Sequence, residues 1–320
     1  MIASVPCPSV APAVVSPSLA LLSEQYRRHA LGVRSVSADT VAEELLYLTR
    51  LFNHFGPPET PTELFTALAP DAVSRFLVQY AEGHAPGSRR WMQASLRSFL
   101  RFAYQCGYLE RDLSGVVPAV RTRRLGRVPR GLPAECIAAL NTGVERDTPE
   151  GRRDTAMICL LSTYGVRGVQ IRHLRLDQLD WAGSRIHFPA AKGGRPIVQH
   201  LTPEAGNRLA DYLVHGRPDS PCPEVFLTVH EPYRPLPCAS HLSAVLRRRM
   251  GQLGLTLPEG VSHGTHGFRH AFATRLTGRV PFKDITDLLG HRDPSSTLIY
   301  GKVDLNALRE AALPWPGGDR

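Results

Sequence analysis

Residues 265–300 read THGFRHAFATRLTGRVPFKDITDLLGHRDPSSTLIY, and this stretch decides the fold class of the chain. Apolar side chains fit helices over 265–278 and over 282–290, and Pro281 is a start signal for the second helix. Two short helices separated by turn residues fit a mainly α-helical domain.

The same stretch carries a cluster of chemically active side chains. His266 and Arg269 lie three residues apart on the first predicted helix, His291 follows a glycine, and Tyr300 lies nine residues beyond it. Cationic and hydrogen-bond-donating groups near one phenol suit a phosphodiester, because an arginine holds the charge while the tyrosine attacks the phosphorus. His266 and His291 would each donate a hydrogen bond to the phosphate or move a proton.

On both sides of this stretch the pattern remains mainly helical. Helices are predicted over 134–142, 151–164, 167–175, 203–215 and 240–253, with a final one over 304–312. Residues 185–188 and 196–200 alternate in polarity around a glycine-containing turn and predict a β-hairpin. The fold class predicted is mainly α with a small β-sheet, an α+β catalytic domain over 133–313.

Two further cationic residues fit the same chemistry. Arg167 stands at a break between two predicted helices, where Gly165 permits a tight turn. It could bind a phosphate together with Arg269. Lys192 stands at the tip of the predicted hairpin. The chain has 38 basic residues, of which only three are lysines, and Lys192 is the first. A lysine at this position suits a general acid that protonates a departing oxygen, which an arginine does not do readily.

The first part of the chain predicts a separate, smaller helical domain. Helices are expected over 39–55, with Asp39 as N-cap, from Pro70 onward, and over 88–106. The predicted organisation is a flexible tail at 1–17, a helical DNA-binding domain at 18–115, a basic linker at 116–132, the catalytic domain and a tail at 314–320.

The charge of the chain points to a polyanionic partner. The formal net charge is +9; residues 1–120 hold 10 basic and 10 acidic side chains, whereas residues 121–320 hold 28 and 19. An excess of this kind favours nucleic acid. The DNA-binding candidates are the arginines of the 88–106 helix and of the linker: Arg89, Arg90, Arg97, Arg101, Arg121, Arg123, Arg124, Arg127 and Arg130.

Other classes of protein are disfavoured by the sequence. No apolar run has the length of a membrane span, and the proline-broken first residues do not resemble a signal peptide, so a cytoplasmic protein is expected. His266 and His270 are four apart and could bind zinc on one helix face, but the glutamate of the H-E-x-x-H motif is missing. A buried histidine or a DNA contact is the preferred interpretation, and neither a metal nor a cofactor is expected.

Taken together, these segments resemble the tyrosine recombinase, or phage integrase, family. The matching motifs are TYGVR at 163–167, AKGGRP at 191–196, HGFRH at 266–270, LLGH at 288–291 and TLIY at 297–300. The resemblance spans roughly residues 16–313 and favours a Xer-like or mobile-element site-specific recombinase. It implies the catalytic set Arg167, Lys192, His266, Arg269, His291 and Tyr300.

The resemblance also implies a mechanism and partners. Tyrosine attack gives a 3′-phosphotyrosyl intermediate, and strands are exchanged through a Holliday junction without metal or nucleotide. The expected architecture is a C-shaped clamp of two domains around double-stranded DNA at specific core sites. Four protomers, or partner recombinases, would act together on synapsed DNA in the bacterial cytoplasm, associated with the nucleoid when bound.

One position departs from the family pattern and keeps two alternatives open. Gln170 stands where the family usually has an acidic residue. Glutamine brings no charge, so the orientation and the electrostatic environment of His266 are left open. A catalytically impaired DNA-binding accessory protein is therefore one alternative. A type IB topoisomerase, which shares the chemistry, is the other.

Overall fold

The computed structural model describes residues 17–55, 60–119, 130–191, 194–237, 239–291, 297 and 300. The chain divides into two compact units, Met1–Arg123 and Arg124–Arg320. The described residues are mostly helical with one small antiparallel sheet, so the predicted fold class is confirmed.

The first unit is a bundle of helices. They are α1 (Pro17–Gly32), α2 (Ala38–His54), α3 (Pro61–Ala67), α4 (Pro70–Glu82) and α5 (Pro86–Gln105). The hydroxyl of Ser37 accepts the backbone N–H of Thr40 and caps α2, so the predicted cap at Asp39 was wrong by two residues. Asp39 instead places its negative charge in the first turn of α2. The sequence prediction also missed α1 and α3.

Apolar side chains of all five helices fill the core of this unit. Phe99 of α5 contacts the rings of Tyr26 from α1, Phe52 from α2 and Phe65 from α3. Val117, predicted to lie in the linker, is buried in the same core.

Leu132, at the other end of the predicted linker, belongs to the second unit. The N–H of Leu132 donates to the carbonyl of Gly267, and the Leu132 side chain joins the second core. Residues 120–129, the middle of the predicted linker, lie outside the described residues, as does the predicted helix at 304–312.

Helices of the second unit surround a buried central helix. They are α6 (Ala134–Gly143), α7 (Pro149–Tyr164), α8 (Gly168–Arg172), α9 (Pro203–His215), α10 (Ala239–Gln252), α11 (Thr265–Leu276) and α12 (Phe282–Leu288). The central helix α7 packs against α6, α9 and α11 and is buried over most of its length. Because α7 is fixed on several sides, the turn that follows it is held firmly in place.

The sheet consists of β1 (Leu179–Asp180), β2 (Arg185–Phe188) and β3 (Ile197–His200) in that order. Strands β2 and β3 form the predicted hairpin, with Phe188 opposite Ile197. The predicted helix over 167–175 is shorter, because the extended backbone of Arg167 precedes α8 and His173 ends it. Among the described residues no helix combines the length and the apolar character needed to cross a membrane.

Candidate active site

Arg167 is presented by the turn between α7 and α8. Gly165 ends α7 with a φ of +61°, and a Cβ at this position would lie 2.6 Å from the ring of Phe272. Both the left-handed backbone and the close approach of α11 require glycine here. The turn therefore directs Arg167 to the side of the unit where α11 lies. The half-buried guanidinium has a lowered pKa because of that burial.

Arg269 extends from α11 into the same region and is 4% exposed. Its Nη1 donates to the carbonyl of Gly165 at 3.0 Å, and its Nη2 donates to the carbonyl of Leu289 at 2.8 Å. Burial, and then the charge of Arg167, lowers the pKa of Arg269 to about 9, so the side chain stays cationic at neutral pH. The two guanidiniums are close enough to repel each other, which an anion placed between them would relieve.

His291 follows Gly290 at the end of α12 and is fixed through both ring nitrogens. Nε2 accepts from Nη2 of Arg269 at 2.7 Å, and Nδ1 lies 2.7 Å from Oγ1 of Thr297. Oγ1 of Thr297 lies 3.0 Å from Oγ1 of Thr286, on α12. Since Nε2 accepts a hydrogen bond from Arg269, Nδ1 of the neutral ring carries the hydrogen and donates to Oγ1 of Thr297.

Tyr300 lies one helical turn after Thr297, and its N–H donates to the carbonyl of that residue at 2.9 Å. The side chain is 2% exposed and packs with Phe272, Ile285 and Leu289. Its Oη lies 2.8 Å from Nδ1 of His270. Burial raises the pKa of Tyr300, while the charges of Arg269 and Arg167 oppose that rise, so the phenol is protonated at neutral pH.

The remaining two predicted catalytic residues lie differently. His266 is exposed, one turn before His270 on α11, with the two ring centroids 6.3 Å apart. Lys192 lies outside the described residues, but the end of its hairpin is described. A Cβ on Gly194 would lie 2.6 Å from the carbonyl oxygen of Gly290 and 3.8 Å from Nη1 of Arg167. The base of the loop that carries Lys192 therefore lies beside Arg167.

Gln170 is buried and uses both ends of its amide. Oε1 accepts the N–H of Arg167 at 3.0 Å, and Nε2 donates to the carbonyl of Pro189 at 2.9 Å. Pro189 directly follows β2. The residue that departs from the family pattern thus connects the Arg167 turn to the strand leading toward Lys192, and a carboxylate would lack the donor for the second bond.

Five of the nine predicted DNA-binding arginines lie among the described residues. Nη2 of Arg97 donates to the carbonyls of Val117 and Pro118, Nε of Arg89 to that of His84, and Nη1 of Arg130 to that of Glu259. Arg90 and Arg101 are exposed on α5. The other four candidates, Arg121, Arg123, Arg124 and Arg127, lie outside the described residues.

Sequence reasoning missed two residues of this site. His270 was considered for zinc binding or DNA contact and not as a neighbour of Tyr300, although its position next to Arg269 was a signal. Thr297 was noted only as part of a motif, and its bond to His291 depends on tertiary contacts. In the described part of the chain no cluster of three or more His, Cys, Asp or Glu side chains suits a metal ion.

Comparison with known sequences gives a consistent match. Residues 131–306 match the model of the phage integrase family. An integrase/recombinase of Sinorhizobium fredii is 34% identical over 295 residues, which cover 92% of this chain and 70% of the relative. The tyrosine recombinase XerD of Mycobacterium tuberculosis is 30% identical over 321 residues, covering 94% and 97% of the two chains.

Comparison with solved structures gives the same fold at low sequence identity. The XerH site-specific recombinase bound to its difH substrate has a TM-score of 0.62 at 16% identity, covering 92% of this chain and 84% of that one. A lambda integrase tetramer bound to a Holliday junction has a TM-score of 0.61 at 15% identity, covering 89% and 77%.

Proposed function

The chain belongs to the phage integrase family of tyrosine recombinases, and we propose that Tyr300 is the nucleophile with which it breaks and rejoins DNA. The chain is an enzyme of site-specific DNA recombination. The observation that carries the assignment of Tyr300 is its position: one buried phenol beside two guanidiniums that the fold holds together.

The two arginines bind the scissile phosphate. Arg269 is anchored to the carbonyls of Gly165 and Leu289, directly after α7 and α12, and the turn fixes the backbone of Arg167, so both guanidiniums are in place before the anion arrives. Charge that develops on the non-bridging oxygens in the pentavalent transition state meets cations that are already desolvated. This preorganisation is the main source of rate acceleration.

The histidines and the lysine complete the site. Nε2 of His291, which accepts from Arg269, lies beside the phosphate-binding arginine and donates to a phosphate oxygen when it carries a proton. His266, exposed on α11, donates to the same phosphate. Lys192 is the general acid that protonates the 5′ oxygen as it leaves. Tyr300 remains joined to the 3′ phosphate until a 5′ hydroxyl attacks and releases it.

The chain acts on double-stranded DNA and in an oligomer. The supporting observation is that DNA-bound recombinases share its fold, one of them as a tetramer on a Holliday junction. We extend this to specific core sites in the DNA, and to four protomers, of this chain alone or with partner recombinases, in the bacterial cytoplasm on the nucleoid. A transposon integrase with a TM-score of 0.58 at 14% identity supports a role in a mobile element.

The alternatives are less well supported. The relatives are named as recombinases and integrases, which disfavours a type IB topoisomerase. An impaired accessory protein was suggested by Gln170, but that side chain supports Arg167 and removes no reacting group.

Covalent capture tests the proposal and does not require the sequence of the DNA site. The full chain is incubated with a pool of nicked synthetic duplexes of randomised sequence, and DNA that stays attached after protein denaturation is sequenced. A nick next to the cleavage position traps the adduct, because the short strand that carries the released 5′ hydroxyl diffuses away. The wild type should enrich one sequence, and Tyr300→Phe should enrich none. Equal capture by both proteins would exclude Tyr300 as the nucleophile.

A further inference from the structure

The environment of Tyr300 raises the question of which group takes its proton. The phenol is buried and protonated at neutral pH, yet the attacking species must lose a proton as the O–P bond forms. The nearby cations Arg167 and Arg269 stabilise an anion but have no lone pair with which to accept a proton. The site therefore needs a base that is neither of the predicted arginines.

His270 is placed to be that base. Its Nδ1 lies 2.8 Å from Oη of Tyr300, within the distance required for direct proton transfer. Among the side chains that the structure describes, it is the one within hydrogen-bonding distance of this oxygen. The rings are tilted by 58° with centroids 5.6 Å apart, so the contact is between edges and not a stacking interaction.

The surroundings of His270 keep its ring neutral, so that it can accept a proton. It faces His266 and Arg269 on its own helix and Tyr300 from the segment after α12, and Arg167 acts on Tyr300 and Arg269 from the turn after α7. Burial, followed by the charges of His266 and Arg269, lowers the pKa of His270 to about 4. The ring is thus neutral across the physiological range. An anion bound beside the ring would favour its charged form, which is the form that the proton transfer produces.

We propose that His270 is a catalytic residue that takes the phenolic proton of Tyr300 during strand cleavage and returns it during rejoining. This inference rests on the proposed role of Tyr300. In cleavage, the Oη–P bond forms while the proton moves to Nδ1, and the P–O5′ bond breaks as Lys192 gives its proton to the leaving oxygen. In rejoining, a 5′ hydroxyl gives its proton to the neutral Lys192 as the O5′–P bond forms, the Oη–P bond breaks, and the imidazolium returns its proton to the phenolate.

The test compares pH profiles of single-turnover cleavage on the duplex selected by covalent capture. Wild type, His270→Gln and His266→Gln are assayed with the full chain between about pH 5.5 and 9.5. His263→Gln is the matched control, since His263 is an exposed histidine just before α11. Gln keeps a hydrogen-bonding side chain at each position but takes no proton.

The expected result is a pH-dependent defect confined to one variant. His270→Gln should slow cleavage by roughly 10²- to 10⁴-fold at pH 7, the range of a lost general base. The defect should shrink as pH rises, because hydroxide replaces the base, whereas the wild-type rate levels off above the pKa of its histidine. His263→Gln should match the wild type. Free imidazole should restore at least part of the rate of His270→Ala and none of that of Tyr300→Phe.

Other outcomes would overturn the proposal. A rate for His270→Gln within a few-fold of the wild type, or a loss equal at every pH, would leave His270 only a structural role. If His266→Gln acquired the pH dependence instead, the base would be His266. A wild type that forms no adduct would refute the proposed function itself, and that result is visible without any histidine variant. Thermal unfolding and DNA binding of each variant show whether a slow rate reflects misfolding.

Discussion

Arg269 donates a hydrogen bond from Nη2 to Nε2 of His291 over 2.7 Å, joining α11 to the end of α12. The opposite nitrogen of the same ring contacts Thr297, three residues before Tyr300. The segment that carries Tyr300, the proposed nucleophile, is therefore positioned by the same histidine that contacts Arg269. Removing any member of this chain of contacts should affect the position of Tyr300.

Thr297→Val tests this arrangement with a substitution of nearly equal volume. The buried Nδ1–H of His291 would lose its acceptor, at a cost of about 1–3 kcal/mol. We expect lower thermal stability. The cleavage rate should fall about tenfold, because an increase of about 1.4 kcal/mol in the activation free energy slows a reaction by a factor of ten. Thr142→Val, at an exposed position on α6, is the control. If both variants behave alike, His291 does not depend on Thr297.

Gln170→Glu tests the connection between the Arg167 turn and the hairpin. Glutamate keeps the acceptor for the N–H of Arg167 but loses the donor to the carbonyl of Pro189. A buried carboxylate facing a carbonyl should cost about 1–3 kcal/mol of folding free energy, measured by denaturant unfolding. Cleavage should slow as well.

Gln178→Glu is the matched control for this variant. Oε1 of Gln178 accepts the N–H of Arg175 in the same local geometry, at a position that is partly exposed. It should be close to wild type in both stability and cleavage. A Gln170→Glu protein as stable as Gln178→Glu would show that the bond to Pro189 contributes nothing.

The same substitution should lower thermal stability at one arginine of α5 and weaken DNA binding at another. Arg97→Gln removes hydrogen bonds to the carbonyls of Val117 and Pro118, so thermal stability should fall. Arg101 is exposed, and Arg101→Gln should leave stability unchanged while weakening DNA binding. If Arg101 contacts a phosphate, the slope of log affinity against log salt should decrease by about one. An unchanged slope would exclude that contact.

Lys192→Arg separates a general acid from a simple positive charge. Arginine keeps the charge but does not readily release a proton, so cleavage of ordinary DNA should be slow. A duplex with a 5′ thiol leaving group needs no protonation and should be cleaved at nearly the wild-type rate. Slow cleavage of both substrates would argue against the general-acid role.

Much of this architecture follows from local sequence. The period of apolar residues located α4, α5 and α9, and alternating polarity located the β2–β3 hairpin, because each pattern reports which face is buried. The helices α1 and α3 were not predicted: α1 begins where the predicted tail ends, and Pro61–Ala67 is only seven residues long. Strand β1 has two residues, and its pairing with β2 is a tertiary contact.

The site divides in the same way. Arg167, Arg269, His291 and Tyr300 were chosen for the chemistry of their side chains, and the structure brings them together. The contacts of His270 with Tyr300 and of Thr297 with His291 join residues thirty and six positions apart. Such contacts depend on how α11 and α12 pack, which no local pattern encodes. The structural role of Arg97 escaped prediction for the same reason, since its acceptors lie twenty and twenty-one residues away.

Mass spectrometry of the covalent adduct identifies the side chain that attacks the DNA. The wild-type chain is trapped on the selected nicked duplex, digested with nuclease and protease, and the modified peptide is sequenced by fragmentation. We predict a nucleotide joined through its 3′ phosphate to Tyr300, and no adduct in Tyr300→Phe. A nucleotide on another side chain, or an adduct that persists in Tyr300→Phe, would contradict the assignment of Tyr300 as the nucleophile.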